Sequence, residues 1–315
     1  MSGKSGPDVR PVDATALAAA ADCLRGGGLV AVPTETVYGL AARADSESAV
    51  AAIYRAKGRP DFNPLIVHVP SLEAAEAIAV FDDRARQLAG AFWPGPLTLV
   101  LPLREGTSIT PAVTAGLPTI ALRCPAHPAM RSLLQISGLP LAAPSANRSG
   151  GVSPTTAGHV AASLGNRVDM VIDGGACEAG IESTIVAPRD SGWSILRPGP
   201  ITEAQISAII GPAGDGMTST GRIEAPGQLA SHYAPGKPVR LGAMEAGDDE
   251  FLIGFGTVEG HTNLSATADL AEAAARLYAC LHLAAADARP LVAIAPVPDE
   301  GIGAAINDRL RRAAA

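Results

Sequence analysis

The sequence predicts an α/β (α+β) chain in two units, a large twisted mixed sheet flanked by helices and a smaller α/β unit behind it. The first observation is composition. Apolar residues make up 47% of the chain but aromatics only 3%, so the interior must be built from Val, Ile, Leu and Ala. Such interiors suit buried strands covered by Ala-rich helices. The second is punctuation: 34 glycines and 26 prolines break the apolar runs into short segments, which disfavours an all-helical bundle. The third is a change of character at residues 211–238, which are rich in Gly, Ser, Thr and Pro and have no apolar period. Beyond them strands and helices alternate again, the pattern of a small Rossmann-like unit.

In chain order, residues 1–13 lack an apolar signal segment and read as a flexible tail. A helix over 14–25 ends at Gly26-Gly27-Gly28, and a strand over 29–33 leads into the turn Thr34 to Leu40. Ser46 can cap a helix through residue 56, with Val50, Ile53 and Tyr54 at helical spacing. A strand over 65–69 and helices over 72–79 and 82–92 follow. Further strands are expected at 97–101, 119–124, 139–143, 170–172, 183–187 and 194–197, with helices at 127–136, 155–164 and 202–210. Residues 14–210 thus form one unit, 211–238 a linker and 239–315 the second unit. The last is read as strands 239–241, 251–255 and 291–295 with helices 267–288 and 303–312.

The net charge is −7, of which residues 1–200 carry −1 and the remainder −6. Neither part has the excess of a dedicated nucleic-acid binder. The cysteines Cys23, Cys124, Cys177 and Cys280 have no CxxC spacing and read as free thiols in a reducing compartment. No apolar run approaches the roughly 20 residues that cross a bilayer, so a cytoplasmic protein is expected. There is no Walker loop, no HExxH and no Gly-x-Ser-x-Gly. The lone Gly301-Ile302-Gly303 lacks the third glycine of a dinucleotide fingerprint.

What remains is a series of polar residues at the ends of apolar strands, where open α/β sheets bind ligands. Lys57 and Arg59 end a helix, where cations also simply favour the negative helix terminus. The chain has only three lysines, so Lys57 beside Arg59 looks chosen for a compact point charge. His68, on a strand, is more often a satisfied core histidine than a ligand contact. Ser145, Asn147, Ser153 and Thr155 have ordinary roles as turn and cap residues. Arg123, emerging from an apolar strand, needs an anionic partner.

The order of the pieces is more informative than any one. Pro33-Thr-Glu-Thr-Val-Tyr-Gly-Leu40, Lys57-Gly-Arg-Pro60 with Asn63-Pro-Leu-Ile-Val-His68, Trp93-Pro-Gly-Pro-Leu-Thr98 and Arg123-Cys-Pro-Ala-His-Pro128 come first. Pro144-Ser-Ala-Asn147 with Ser153-Pro-Thr155, Asp173-Gly-Gly175 with Gly180-Ile-Glu-Ser-Thr-Ile185, and Leu196-Arg-Pro-Gly199 follow. This series resembles the YrdC-like threonylcarbamoyl-AMP synthases. Pro226-Gly-Gln-Leu-Ala-Ser-His-Tyr-Ala-Pro235 and Gly301-Ile-Gly-Ala-Ala-Ile-Asn-Asp-Arg-Leu310 match their long, two-domain form.

The resemblance implies a YrdC-like catalytic domain and a nucleotidyltransferase that condenses L-threonine, bicarbonate or CO2, and ATP into L-threonylcarbamoyladenylate and pyrophosphate. The product would pass to the tRNA threonylcarbamoyl transferase machinery, which modifies adenosine beside the anticodon. By the same resemblance Lys57, Arg59, Asn63, Thr119, Ser145, Ser153, Arg197, His232 and Tyr233 belong to the ATP side, with Lys57 and Arg59 catalytic. Thr34, Thr36, His68, Arg123, Ala143 (through its backbone) and Ser183 form the threonine side, with Arg123 matched to the carboxylate. Mg²⁺ would ride on the ATP phosphates, with no protein metal ligand assigned. His68 or Glu182 is the candidate acceptor for the amine proton. The linker is expected to cross the pocket mouth, and Ala230 stands where the family often has an aromatic residue. The competing reading is an RNA-binding or assembly module without turnover. The charge balance weighs against it, and no stable nucleic-acid binding and no membrane association are expected.

Overall fold

The structure, a computed structural model, describes residues 6–189, 192–213, 225 and 232–315. The larger sheet runs, in spatial order, Asp8–Pro11, Met170–Asp173, Val30–Pro33, Tyr38–Arg43, Leu141–Ala142, Ile66–His68, Thr119–Arg123, Leu97–Pro102, Thr184–Arg189 and Gly192–Arg197. Its pairings are mixed, parallel between Ile66–His68 and Thr119–Arg123 and antiparallel between the latter and Leu97–Pro102. Helices Ala14–Arg25 and Pro128–Ser137 cover one face, where Ala20, Ala21 and Leu24 meet Met130, Leu133 and Val32. On the other face Val50, Ile53, Leu88 and Val160 pack over Leu40, Val67, Leu99 and Leu122. The central strands are buried on both sides, which is why they read as continuous apolar runs rather than alternating ones.

Helix Glu47–Lys57 shows how sequence sets local shape. The Ser46 hydroxyl accepts from Ala49 N–H, and the helix stops at Gly58, whose φ of 60° is left-handed. A residue without Cβ reverses the chain there at little cost. Lys57 and Arg59 therefore diverge from one corner.

Two expectations change. Residues 8–11, read as part of a flexible tail, form an edge strand parallel to Met170–Asp173. Backbone pairing at a sheet edge needs no apolar pattern, so nothing in the side chains announced it. Residues 38–40, read as the end of a turn, open a strand that runs Tyr38–Arg43. Gly39 looked like turn chemistry, but a Cβ there would lie 3.3 Å from the Ala143 side chain, so it serves close backbone approach.

The second sheet is parallel, in the order Val239–Leu241, Leu291–Ile294, Glu250–Gly254, Thr262–Asn263, with helices Leu270–Ala286 and Gly303–Ala313. Alternation thus read the Rossmann-like unit correctly. Its core is not self-contained, because Val37, Val152 and Ile181 of the first unit pack into it beside Leu277 and Tyr278. Gly180 marks the tightest approach: a Cβ there would lie 2.4 Å from the Ala275 backbone. Most of residues 211–238 lies outside the described residues, as does Ala230. At the root of that segment the Trp193 indole N–H donates to the Gly211 carbonyl at 2.9 Å.

Across the seam His159 and His282 stack at 3.8 Å, and His282 Nε2 lies 3.1 Å from the Ser153 carbonyl. Burial first, then the neighbouring ring, lowers His159 from 6.5 to about 4; burial lowers His282 as well. The folded chain therefore prefers both rings neutral, whereas the unfolded chain takes up protons through the ordinary value. The contribution is fully present above pH 6.5 and is lost as pH falls from there toward about 4. We expect the melting temperature to decline over that window, and His282→Gln to shallow the decline in a calorimetric pH series. An unchanged slope would remove the pair as the cause.

Candidate functional site

The strand order brings sequence-distant residues to one pocket. Ile66–His68 and Thr119–Arg123 pair in register His68 to Arg123, so the two side chains stand level at the carboxyl ends of adjacent parallel strands. Facing them is the loop after Val30–Pro33. There the Thr34 hydroxyl bonds the Thr36 hydroxyl at 2.8 Å and donates to the Val37 carbonyl at 2.7 Å. The turn after Leu141–Ala142 closes a third side: Ala143 N–H donates to Ile66 O, and Ala146 N–H to Tyr38 O. The pocket so formed is lined by Thr34, Thr36, Arg59, His68, Arg123, Ala143, Ser145, Ser183, Arg197, His232 and Tyr233, and also by Val37, Gly39, Ile66, Pro144 and Glu182.

Eleven of the residues expected from the sequence are in that lining, and four are not. Lys57 lies behind the wall. Its ammonium donates to the Ser145 and Asn147 carbonyls, both at 2.6 Å, and approaches Asn147 Oδ1 at 3.4 Å. Its three donors are thereby occupied, so it braces the Ser145 turn and contributes charge from one layer back. Ser153 is also buried behind the surface, donating to Glu182 Oε1 at 2.5 Å. Asn63 sits under Arg59, its backbone oxygen accepting Arg59 Nε at 3.2 Å while its side-chain oxygen has no partner. Thr119 is at the opposite end of Arg123's strand, in a separate groove with Val80, Asp82, Pro188 and Arg189. Four residues at about 3.3 Å each take it roughly 13 Å from Arg123.

The two sides of the pocket differ electrostatically. On one, Arg123 donates to Glu35 Oε1 at 2.6 Å, to the Thr36 hydroxyl at 2.9 Å and to Gly95 O at 3.2 Å. Glu35 Oε2 accepts Ala126 N–H at 3.0 Å. Burial raises the Glu35 carboxyl, but the Arg123 charge and hydrogen bond with the backbone donors outweigh it and leave it below its ordinary value. Glu35 is thus the anionic partner that Arg123 required, and two of Arg123's five N–H groups remain for a ligand.

The other side holds Lys57, Arg59 and Arg197, all buried. Arg59 donates to Asn63 O and Pro64 O, and Arg197 to Ser183 O at 2.9 Å and Ser183 Oγ at 3.2 Å. No ion pair with a carboxylate is present for any of the three among the described residues. Burial, with the neighbouring arginine second, lowers Lys57 well below its ordinary range, and burial lowers Arg59 to about 10. Three buried cations held only by neutral oxygens leave an uncompensated positive field, which an anionic ligand relieves.

His68 is buried with neither ring nitrogen partnered. An unsatisfied buried polar atom costs about 1–3 kcal/mol, a cost that a ligand offering His68 a partner would recover. Burial, then Arg123, lowers it to about 3, so it is neutral at physiological pH. Burial raises Glu182, but Arg309, Arg197 and its hydroxyl donors bring it down to about 2. Neither group is therefore matched to accept an amine proton near neutrality, against the expectation of a general base at one of them. His232 is likewise lowered to about 3 by burial, and its ring stacks edge-on to Tyr233 at 4.1 Å. The Glu35–Arg123 pair and the contacts of Tyr278 and Arg309 were not read from the sequence.

A family model described as Telomere recombination matches residues 22–199. A second, described as Threonylcarbamoyl-AMP synthase, C-terminal domain, matches residues 201–315. The chain is 40% identical to a threonylcarbamoyl-AMP synthase of Bacillus subtilis, over 95% of this chain and 92% of that protein. It is 38% identical to one from Pyrococcus abyssi, over 93% and 92%. The crystal structure of P. abyssi Sua5 complexed with L-threonine superposes with a TM-score of 0.88 at 36% identity, covering 98% of this chain and 96% of that one.

Proposed function

The chain belongs to the threonylcarbamoyl-AMP synthase family, and on that premise we propose how its pocket carries the condensation of L-threonine, bicarbonate or CO2, and ATP. The observation that carries this reading is the asymmetry of the pocket. One side has an ion-paired arginine with N–H groups to spare and an unpartnered neutral histidine; the other has three buried cations without a carboxylate. The first suits an amino-acid carboxylate and hydroxyl, the second a polyphosphate.

On the threonine side Arg123, with Thr34, Thr36, His68, the Ala143 backbone and Ser183, takes the amino acid. On the nucleotide side Arg59, Arg197, Ser145, His232 and Tyr233 face ATP, with Lys57, Asn63 and Ser153 supporting them from behind. Thr119 keeps a place on the ATP side only if the nucleotide extends to its groove. Threonine's neutral amine attacks CO2; the new C–N bond forms as one C=O π bond opens, and the nitrogen releases a proton to solvent, leaving a carbamate. A carbamate oxygen then attacks the α-phosphorus, the bond from that phosphorus to the bridging oxygen breaks, and pyrophosphate leaves. The side chains orient two anions and offset developing charge, work that needs no covalent intermediate on the protein. Glu35 and Glu182 are both engaged by arginine and N–H or hydroxyl donors, so neither would hold a metal; Mg²⁺ brought with ATP would supply further neutralisation of phosphate charge.

No helix among the described residues is long and apolar enough to cross a membrane. We assign the reaction to the cytoplasm, with the adenylate handed to the tRNA threonylcarbamoyl transferase machinery. An RNA-binding module without turnover is not favoured, because the cations are buried in a pocket instead of spread over a face. Pyrophosphate release is the test. It is expected only when ATP, threonine and bicarbonate are all supplied; release that ignores threonine, or none from folded protein, would sink the reading.

A further inference from the structure

The nucleotide side of the pocket is not completed by the first unit alone. Helices Leu270–Ala286 and Gly303–Ala313 of the second unit send two side chains across the seam, Tyr278 and Arg309, and both are fully buried. They converge on one atom: Glu182 Oε2 accepts the Tyr278 hydroxyl at 2.7 Å and Arg309 Nε at 3.0 Å. The other oxygen of that carboxylate accepts the Ser153 hydroxyl at 2.5 Å. Arg309 does more than pair with an acid. Its Nη1 donates to the Pro198 carbonyl at 2.7 Å, so it grips the residue before Ser183 and the residue after Arg197. Those two enclosed residues are themselves joined, because Arg197 donates to both the carbonyl and the hydroxyl of Ser183. The guanidinium also lies 5.6 Å from the centre of the Tyr233 ring, another wall of the pocket.

We propose that Arg309 and Tyr278 are positioning residues for the nucleotide side of the pocket, acting through Glu182 to fix Ser153 and, by the Arg309 grip on the Pro198 carbonyl, to fix Arg197. Neither touches the pocket itself. Each acts on a group that does, and does so from a unit, residues 239–315, that supplies none of the pocket lining. The arrangement explains why a buried carboxylate is tolerated among the cations of an anion site. Glu182 would oppose a polyphosphate if it were free, but its charge is taken up by Arg309, leaving Lys57, Arg59 and Arg197 unneutralised for the ligand. The second unit is therefore part of the active site's support, not only an anchor for the linker.

The inference rests on the ATP reading of that side, and the two are separated by measuring binding as well as turnover. The full-length protein is used throughout. Tyr278→Phe removes one hydroxyl and Arg309→Lys keeps the charge while losing the second grip. Both are expected to raise the calorimetric Kd for ATP and its KM several-fold, with threonine Kd within twofold of the parent. Arg309→Met is expected to raise the ATP Kd at least tenfold, with Arg309→Lys recovering part of it. Equal losses of ATP and threonine binding, or ATP binding unchanged in Tyr278→Phe and Arg309→Lys, would overturn the proposal. If the parent protein binds threonine but not ATP, the nucleotide reading itself falls and the inference with it.

Discussion

Replacing Arg59 with methionine should cut pyrophosphate release by about 10²–10³-fold, the cost typical of removing one preorganised donor that faces developing charge. Unlike Lys57, which is consumed by the Ser145 and Asn147 carbonyls, Arg59 stands directly in the pocket wall, as Arg197 also does. Its own anchors are two backbone oxygens, at Asn63 and Pro64, so no carboxylate is orphaned when it goes. Stability should therefore change little while the KM for ATP rises and kcat falls. Threonine binding, followed by calorimetry without nucleotide, should be retained. A variant with near-normal turnover would remove Arg59 from the phosphate site. The same comparison in Lys57→Met should look different. There the Ser145 turn loses its brace, and a lowered melting temperature is expected to accompany the lost activity.

Arg123→Met should abolish threonine binding and destabilise the fold together. Removing one partner of a buried ion pair costs about 3–5 kcal/mol, because the other charge is left without compensation. Here the stranded group is Glu35, whose second oxygen also holds the Ala126 N–H at the entry to helix Pro128–Ser137. The two losses are separable. Adding Glu35→Gln to Arg123→Met should recover much of the melting temperature without recovering threonine affinity, since only the first depends on an unpaired carboxylate. Recovery of both would mean that Arg123 serves the fold and not the ligand. Calorimetry on the two single variants and the double variant decides it.

The fold was legible wherever packing wrote an apolar run, as in 97–101 or 119–124, and wherever a cap marked a helix start, as Ser46 does. It was illegible where pairing alone decides, at Asp8–Pro11, and where a glycine serves close approach, at Gly39. The site shows the same division. Residue types and their order in the chain picked out most of the pocket lining. What a side chain does inside it depends on partners that no local pattern encodes: Glu35 lies 88 residues from Arg123, and Arg309 lies 127 from Glu182. Lys57 is the instructive case. Its scarcity and its neighbour Arg59 suggest a compact point charge, and only the path of the Ser145–Asn147 turn shows that the ammonium donates to two backbone carbonyls.

The chain has two tryptophans, both in the first unit: Trp93 packs edge-on against Phe81, and Trp193 is tied through its indole to Gly211, where the poorly patterned segment begins. Indole emission is therefore a spectroscopic label built into one side of the seam. The second unit has no tryptophan and a single tyrosine, the buried Tyr278. Excitation selective for tryptophan will follow the first unit and the root of the linker, while circular dichroism sums over the helices of both. Coincident thermal curves from the two signals would mark the units as one cooperative body; separated curves would show which one lets go first.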